Sequence, residues 1–170
     1  KYAHVPSLSW YNKPPSPKIY KQKKKLKDVG LIRTVAVSCH HRPTFEQYIR
    51  DPRIDIIMTR YNAVHRGGER EVFPHLVSSV SGVQKHGVIS YTATRWGYLM
   101  NPKFTPPGLP TPTAGDCYRF VLTNPNIDLC LSGPASMEQM KSNLDAVEKG
   151  PMSSEELSWM HAVGDHIHAK

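Results

Sequence analysis

A stretch near the middle of the sequence combines a buried-strand pattern with side chains that could bind a small molecule. The run from Ile54 to Met58 is mostly apolar and rich in β-branched residues, and it changes at once to a polar and aromatic segment that ends at Arg66. A short run of this kind predicts a strand that is buried on both faces. Parallel α/β sheets bind ligands at the carboxyl ends of their strands, so this pattern predicts a site there.

Two kinds of chemistry compete at this end of the predicted sheet. A metal-dependent hydrolase would use histidines at strand ends, and candidates follow two neighbouring strands: Cys39, His40, His41 and His65. Such a site also needs a carboxylate at a strand end, whereas Asp55 and Asp128 are expected at the opposite ends. We therefore favour histidines in substrate loops or on the surface, and we predict no metal.

Three arginines also follow successive predicted strands, namely Arg42, Arg66 and Arg95. Arginines can bind anionic groups in a two-pronged geometry, so these three could converge on an anionic substrate or on a cofactor pyrophosphate. The alternative is that they are solvated loop charges. Trp96, next to Arg95, is expected to line or cap the mouth of the site.

The elements that position these residues alternate between strand and helix. Helices are predicted at about 17–29, 44–50, 69–79, 114–123, 137–148 and 154–166, and strands at 31–38, 54–58, 88–92 and 127–131, after a strand tail at 7–12. The segment Asp51–Ile56 resembles the segment Asn124–Leu129, and each leads from a helix into a strand. Repeated units of this kind predict a parallel sheet with right-handed crossovers, which is either a small open sheet or the second half of a barrel.

Composition indicates one globular domain. The formal net charge is +8, and much of the excess lies in a cluster of six lysines between Lys18 and Lys27. We interpret this cluster as the solvated face of a helix whose apolar residues, including Leu26 and Val29, face inward, and not as a nucleic-acid site. No apolar run is long enough to span a membrane, the first residues carry no signal-peptide pattern, and the start without Met is compatible with a fragment edge. Three scattered cysteines favour a cytoplasmic location.

Four segments, in the right order, resemble those of aldo/keto reductases. They are Gly30–Ser38, the motif of Tyr61 and Asn62 with His65, Arg66 and Glu69, the strand Gly87–Tyr91, and the segment from Leu131 to Leu144 that includes Gly133, Pro134, Glu138 and Gln139. The resemblance implies a (β/α)8 barrel of the TIM type. Residues 1–170 would form its C-terminal part, four to five βα units from strand four onward, as one domain whose N-terminal half is absent.

The resemblance also implies a cofactor, NADP(H) or NAD(H), and the residues that bind it. Ser38 and Cys39 would contact the nicotinamide carboxamide, although the family usually has Asn where Cys39 stands. Met58 occupies the place of a Gln, and Tyr91 is the ring expected to stack on the nicotinamide. Gly133 and Pro134 would lie at the phosphates, and Gln139 and Asn143 at the adenosine end. The family's Arg is missing at Gln139, which weakens the prediction of a 2′-phosphate contact.

The catalytic groups of the family are largely outside this sequence. Its Tyr, Lys and Asp lie on the first half of the barrel, and its His at the end of strand four corresponds to Ser9. The substrate-loop candidates are Trp10, His40, His65, Arg66, Arg95 and Trp96. We thus predict an NAD(P)H-dependent oxidoreductase that reduces a small carbonyl compound, with this chain carrying the cofactor half and inactive by itself. The alternative is a non-catalytic half-barrel derived from that family, which would assemble with itself through exposed sheet edges.

Overall fold

Four parallel strands form a single sheet in the order in which they occur in the chain. In a computed structural model, which describes residues 17–76 and 86–169, the strands are β1 (Ala36–Ser38), β2 (Ile56–Arg60), β3 (Gly87–Tyr91) and β4 (Leu129–Cys130). Each strand is hydrogen-bonded to the next one in sequence, as in a barrel in which every crossover proceeds in the same direction. All four carboxyl ends therefore lie at the same edge of the sheet.

Seven helices precede, connect and follow the strands in the described part of the chain. They are α1 (Pro17–Asp28), α2 (Phe45–Ile49), α3 (Gly68–Glu71), α4 (Phe73–Leu76), α5 (Ala114–Thr123), α6 (Met137–Val147) and α7 (Ser154–His168). Short 3-10 turns precede α2 and span Tyr98–Met100.

Side chains of the last three helices' N-caps explain where those helices begin. Thr113 and Ser153 each accept a hydrogen bond from the backbone three residues later, and Asp116 and Glu156 bind the cap backbone in return. Ser136 caps α6 through the backbone of Gln139, as its sequence position predicts. These bonds satisfy amide groups that the first helical turn leaves without partners.

The two similar segments noted in the sequence make the same contacts in the structure. The Asp55 carboxylate accepts a hydrogen bond from the Val35 amide at 2.6 Å, and the Asp128 carboxylate accepts one from the Val88 amide at 2.8 Å. In the reverse direction, the Asp55 amide donates to Val35 O and the Asp128 amide donates to Val88 O. Each aspartate thus fastens the amino end of its own strand to the neighbouring strand, at the end of the sheet opposite to the candidate site.

The two faces of the sheet differ in burial. Ile57 and Thr59 of β2 and Val88 and Ser90 of β3 are fully or almost fully buried against the helices, in a core that includes Phe45, Phe120, Val121 and Met160. Alternate side chains keep partial exposure, and we call them the open face: Ala36, Ser38, Ile56, Met58, Arg60, Ile89, Tyr91 and Leu129. Strand periodicity of two residues accounts for the division.

Helix α7 is held against the sheet by close packing and by one buried arginine. A Cβ atom at Gly164 would overlap the carbonyl group of Ala63, so a glycine is needed at this contact. Arg119, only 6% exposed, binds both oxygens of Glu156 and also donates to the carbonyl groups of Gly150 and Pro151. A buried guanidinium that is satisfied in this way fixes α5 relative to the start of α7.

Several predicted boundaries differ from the structure. The strand predicted at 31–38 begins only at Ala36, and the helix predicted at 69–79 is divided into α3 and α4 at Val72, whose φ is −128°. Pro74 explains the division, because its ring cannot continue a helix from the preceding turn. Leu26 and Val29 were predicted to face inward, but they are 40% and 68% exposed. Ser9, Trp10 and the strand tail at 7–12 lie outside the described residues.

None of the described helices combines the length and the hydrophobicity that a membrane span requires.

The aspartate contacts lead to a prediction for stability. Replacing Asp55 by Ala removes the acceptor of the Val35 amide and the partner of Lys27, whose Nζ lies 2.9 Å from the carboxylate. We expect the free energy of unfolding, measured by urea denaturation, to fall by about 2–3 kcal/mol. The matched substitution Asp145→Ala, on the exposed surface of α6, should change it by less than about 0.5 kcal/mol. Equal effects of the two substitutions would contradict this role of Asp55.

Candidate functional site

The carboxyl ends of β1, β2 and β3 bring the predicted nicotinamide-binding residues together on the open face. Ser38 is the ladder neighbour of Met58, and Arg60 is the ladder neighbour of Tyr91. Met58 lies on the same face as Arg60, two residues earlier, so Ser38, Met58 and Tyr91 share one surface. The strand register therefore unites residues that are more than 50 positions apart in the sequence.

The ring of Tyr91 is held by contacts with the loop that follows β1. Its hydroxyl group lies 3.4 Å from Nδ1 of His40, and the two rings meet edge to face with centroids 6.3 Å apart. Cys39, beside His40, donates from its Sγ to the carbonyl group of His41 at 3.5 Å. These contacts orient the aromatic ring and the loop relative to each other.

The loop after β3 has an unusual backbone conformation. Thr92, Arg95 and Trp96 have φ values of 59°, 54° and 55°, in the left-handed region that favours glycine. Each such residue costs roughly 1–2 kcal/mol, and conformations of this kind occur preferentially at functional sites. Asn62, fully buried, supports the loop by donating to Thr92 O at 2.8 Å while its Oδ1 accepts from the amides of Val64 and His65.

A cavity of about 430 Å³ lies next to this loop, between the ends of β3 and β4 and the first turns of α6. Four residues predicted to contact the phosphates and the adenosine line it together, namely Gly133, Pro134, Gln139 and Asn143. Its remaining wall comes from the segment after β3 and from α5 and α6: Thr94, Met100, Ala114, Tyr118, Glu138 and Ser142. The N-terminus of α6 at this cavity favours an anion through its amide groups and its helix dipole.

Two of the predicted adenosine residues also stabilise the fold around the cavity. The Gln139 side-chain oxygen accepts from the amide of Ala135 at 2.8 Å, so this residue helps to cap α6. Asn143 is 7% exposed, and its Nδ2 lies 3.5 Å from Oγ of Ser132. In the contact between Gln139 and the Ala135 amide only the side-chain oxygen of Gln139 takes part, so its side-chain NH2 group is not used by this contact.

Two of the three arginines proposed to converge on an anion are already paired. Arg42 forms two hydrogen bonds of 3.1 Å with the carboxylate of Glu71, and Arg66 forms an ion pair of 2.6 Å with Asp165. A side chain at Gly67 would collide with the Arg42 guanidinium, so that glycine permits the first pair. Arg95 instead lies against aromatic rings, 5.0 Å from the centroid of Trp96 and 5.2 Å from that of Tyr98.

The candidate histidines contact different partners. His40 meets Tyr91, Nδ1 of His41 lies 2.9 Å from Oγ1 of Thr44, and the ring of His65 packs edge to face on His168. Within residues 17–76 and 86–169, no three His, Cys, Asp or Glu side chains come together in a way that could hold a metal ion. Asp55 and Asp128 lie at the amino ends of their strands, as predicted.

The main residue that sequence reasoning missed is Arg60. It lies on the open face at the carboxyl end of β2, next to Tyr91. The alternation of β2 would have revealed it, because Arg60 is two residues beyond Met58 and must share its face. Thr94, Met100 and Tyr118 were also missed, and no sequence signal marked them as walls of the cavity.

A larger cavity, about 520 Å³, lies at the other end of the strands and contains none of the predicted site residues. Four lysines of α1 line it with Tyr20, Asp28, Val35 and Arg53. Ligands of parallel α/β sheets bind at the carboxyl ends of the strands, so we assign the site to the smaller cavity and the open face beside it.

The environment of His65 predicts a specific pH dependence of stability. Burial, and then the nearby cations Arg60, Arg95, His168 and Arg42, lower the pKa of His65 from 6.5 to about 4. The unfolded chain therefore binds a proton that the folded chain does not bind between these pH values. Stability present above pH 6.5 is lost as the pH falls towards 4.

We expect the urea concentration at the midpoint of unfolding to decrease when the pH is lowered from 7 to 4.5. The decrease should be smaller in His65→Gln. The difference in free energy should be about 1 kcal/mol, because partial solvent exposure screens the charges. Burial also lowers the pKa of His86 and His161, so part of the pH dependence should remain in the variant. The control His75→Gln should retain the full dependence, and a His65→Gln variant that also retained it would contradict this assignment.

Comparison with known proteins finds similarity in fold among solved structures. No protein-family model and no curated protein sequence matches the chain. Among solved structures, it is similar to the aldo-keto reductase AKR11C1 from Bacillus halodurans in its holo form (TM-score 0.69, 21% identity) and its apo form (TM-score 0.68, 21% identity), each over 87% of this chain. It is also similar to the glycerol dehydrogenase AKR11B4 from Gluconobacter oxydans, with a TM-score of 0.65 and 18% identity over 91% of this chain.

The chain spans only part of these proteins, 56% of the holo structure and 57% of each of the other two. At these identities the likeness concerns the fold, and it confirms the predicted resemblance at that level. The chain has the fold of aldo-keto reductases, as a partial (β/α)8 barrel with parallel strands.

Proposed function

We propose that the protein is an NAD(P)H-dependent oxidoreductase of the aldo/keto reductase type that reduces a carbonyl compound. In this proposal the present chain supplies the cofactor-binding half of the barrel. The observation that carries it is the 430 Å³ cavity at the ends of β3 and β4, which Gly133, Pro134, Gln139 and Asn143 line together. The likeness in fold to aldo-keto reductases, one of them in a holo form, supports the same assignment.

The residues around the cavity fit the phosphate and adenosine parts of a dinucleotide. Gly133 has open space around its Cα, and α6 begins three residues after Pro134 with amide groups suited to a phosphate. The amide donors of Gln139 and the buried Asn143 would contact the adenosine. A glutamine supplies no positive charge at this place, so the proposal leaves both NADP(H) and NAD(H) open.

The open face fits the nicotinamide part. The Ser38 hydroxyl group would bind the carboxamide, because Met58 has only a weak acceptor and Cys39 only a weak donor. Tyr91, oriented by His40, would stack on the ring. When bound, the cofactor supplies the hydride, and the work of these side chains is to hold and orient it and to exclude water.

The proton donor for carbonyl reduction would come from residues outside 17–169. The proposal places the family's Tyr, Lys and Asp on a preceding half of the barrel, which would also complete the sheet. Apolar side chains exposed at both ends of the described layer support such a completion: Leu26, Val29 and Leu31 at the first end, and Leu129, Leu131, Met137, Met140 and Leu144 at the last. A second copy of the chain is the alternative partner for these surfaces.

The test is a titration of the full-length protein with NADPH and with NADH, followed by protein fluorescence. We expect saturable quenching, and a dissociation constant about 5- to 15-fold higher in Tyr91→Ala, because an aromatic stacking contact contributes about 1–1.5 kcal/mol. The matched control Tyr91→Phe keeps the ring and loses only the contact with His40, so it should bind nearly as the unmodified protein does.

If the folded protein shows no fluorescence quenching with either nucleotide, the proposed function is rejected. If Tyr91→Ala and Tyr91→Phe weakened nucleotide binding equally, the protein would still bind the cofactor, but stacking on the Tyr91 ring would be rejected. Light scattering on the same samples distinguishes a completed monomeric barrel from a self-associating half-barrel.

A further inference from the structure

Positive charge is concentrated on the rim of the open face around Arg60. Arg60 is the last residue of β2, beside Tyr91 in the ladder, and Arg42 and Arg95 follow the two neighbouring strands, β1 and β3. In agreement with this placement, burial and then repulsion from Arg42 and Arg95 lower the pKa of the Arg60 guanidinium. Arg60, Arg95 and Arg42 also act together on His65. These arginines come from the ends of three different strands, so the fold has gathered like charges at one place.

The cluster is only partly neutralised. Arg42 has Glu71 as its partner, whereas no acidic side chain of the described residues pairs with Arg60 or Arg95. Nε of Arg95 is buried and has no hydrogen-bond partner among these residues. Removing charged groups from water without a counter-charge is costly, and an anionic ligand would offset this cost.

Neutral polar groups around the arginines also lack partners in the described part of the chain. These are Nε2 of His65 and Oγ1 of Thr92, both buried. His65, with a pKa of about 4, is uncharged at neutral pH and can donate a hydrogen bond without adding to the repulsion. Two guanidinium groups with neutral donors beside them suit the oxygens of a carboxylate or a phosphate.

We propose that Arg60 and Arg95 bind an oxoanion of the substrate, so that the carbonyl compound reduced here carries a carboxylate or phosphate group. The proposal rests on the proposed function, because it assumes that the carbonyl group lies at the nicotinamide on Tyr91. The two arginines belong to the substrate-binding machinery, whereas Arg42 assists only by its charge.

The position of Arg60 favours the substrate over the cofactor as the source of the anion. The cavity assigned to the phosphates and adenosine lies between β3 and β4 and the start of α6. Arg60 belongs to β2 and lies on the other side of Tyr91 in the ladder, with Ser38 and Met58 towards β1. Arg95 follows β3 and is the neighbour of Thr94 in the cavity wall, so the distinction depends on Arg60, which lies on the side of β3 away from that cavity.

The test compares two aldehydes of similar shape, 4-carboxybenzaldehyde, which is anionic, and 4-nitrobenzaldehyde, which is neutral. Their dissociation constants are measured by calorimetry on the full-length protein, with and without NADPH, and kcat/KM is measured where turnover occurs. We expect the unmodified protein to prefer the carboxylate, and Arg60→Met to reduce this preference about 10- to 100-fold, as the loss of a charge-assisted contact requires. Arg60→Lys should retain part of it.

The control Arg50→Met removes the same charge from the exposed end of α2, before β2, and should leave the preference unchanged. Circular dichroism checks the fold of each variant, and Arg60→Gln replaces Arg60→Met if that protein does not fold. Binding of both aldehydes with equal affinity in the unmodified protein, or an unchanged preference in folded Arg60 variants, would overturn the proposal.

Weaker NADPH binding in Arg60→Met with an unchanged preference would assign the arginines to the cofactor phosphates, and would overturn the proposal as well. NADPH binding without a carboxylate preference rejects only the oxoanion site. Absence of binding of both NADPH and NADH rejects the proposed function, even where a preference for the carboxylate persists.

Discussion

The contact on which the sheet depends is the hydrogen bond that a backbone amide of one strand segment donates to the carboxylate of the aspartate preceding the neighbouring strand. Asp55 binds the Val35 amide and Asp128 binds the Val88 amide, each within a pair of reciprocal bonds. These bonds fix the parallel register at the amino ends of the strands. The Asp55 contact sets β1 against β2, where Ser38 reaches Met58 at the carboxyl ends. The Asp55 carbonyl group also accepts from the Gly87 amide, which sets β2 against β3, where Arg60 reaches Tyr91. The same two segments that repeat in the sequence thus organise the site without being part of it.

Local signals made much of the fold predictable. Thr113, Ser136 and Ser153 mark the starts of α5, α6 and α7, because a capping side chain acts within four residues. The lengths of β1 and β4 were less predictable, since a strand extends only as far as its hydrogen bonds to a partner strand, and that partner is 20–40 residues away. The break between α3 and α4 was foreseeable from Pro74, but its place at Val72 depends on packing.

The part of the candidate site that lies in one continuous segment was predictable from the sequence. The part formed by residues from several strands was less predictable. Gly133, Pro134, Gln139 and Asn143 lie within eleven residues, and they line one cavity. The position of Arg60 beside residues of other strands could not be predicted from its own segment. The ion pairs of Arg42 with Glu71 and of Arg66 with Asp165 also join residues far apart in the sequence, so only the folded structure shows them. The strained loop after β3, supported by the buried Asn62, and the cations around it carry a cost in stability that a ligand bound at this rim would offset.

Hydrogen–deuterium exchange with and without NADPH tests whether the carboxyl ends of the strands form the cofactor-binding surface. If they do, we expect slower exchange on adding NADPH in residues 91–101 and 131–143, which surround the cavity. We expect unchanged exchange in residues 51–55 and 124–128, which fasten the opposite end of the sheet. Protection confined to the lysine-rich helix α1 and the cavity beside Arg53, or protection in neither region while NADPH is bound, would contradict this expectation.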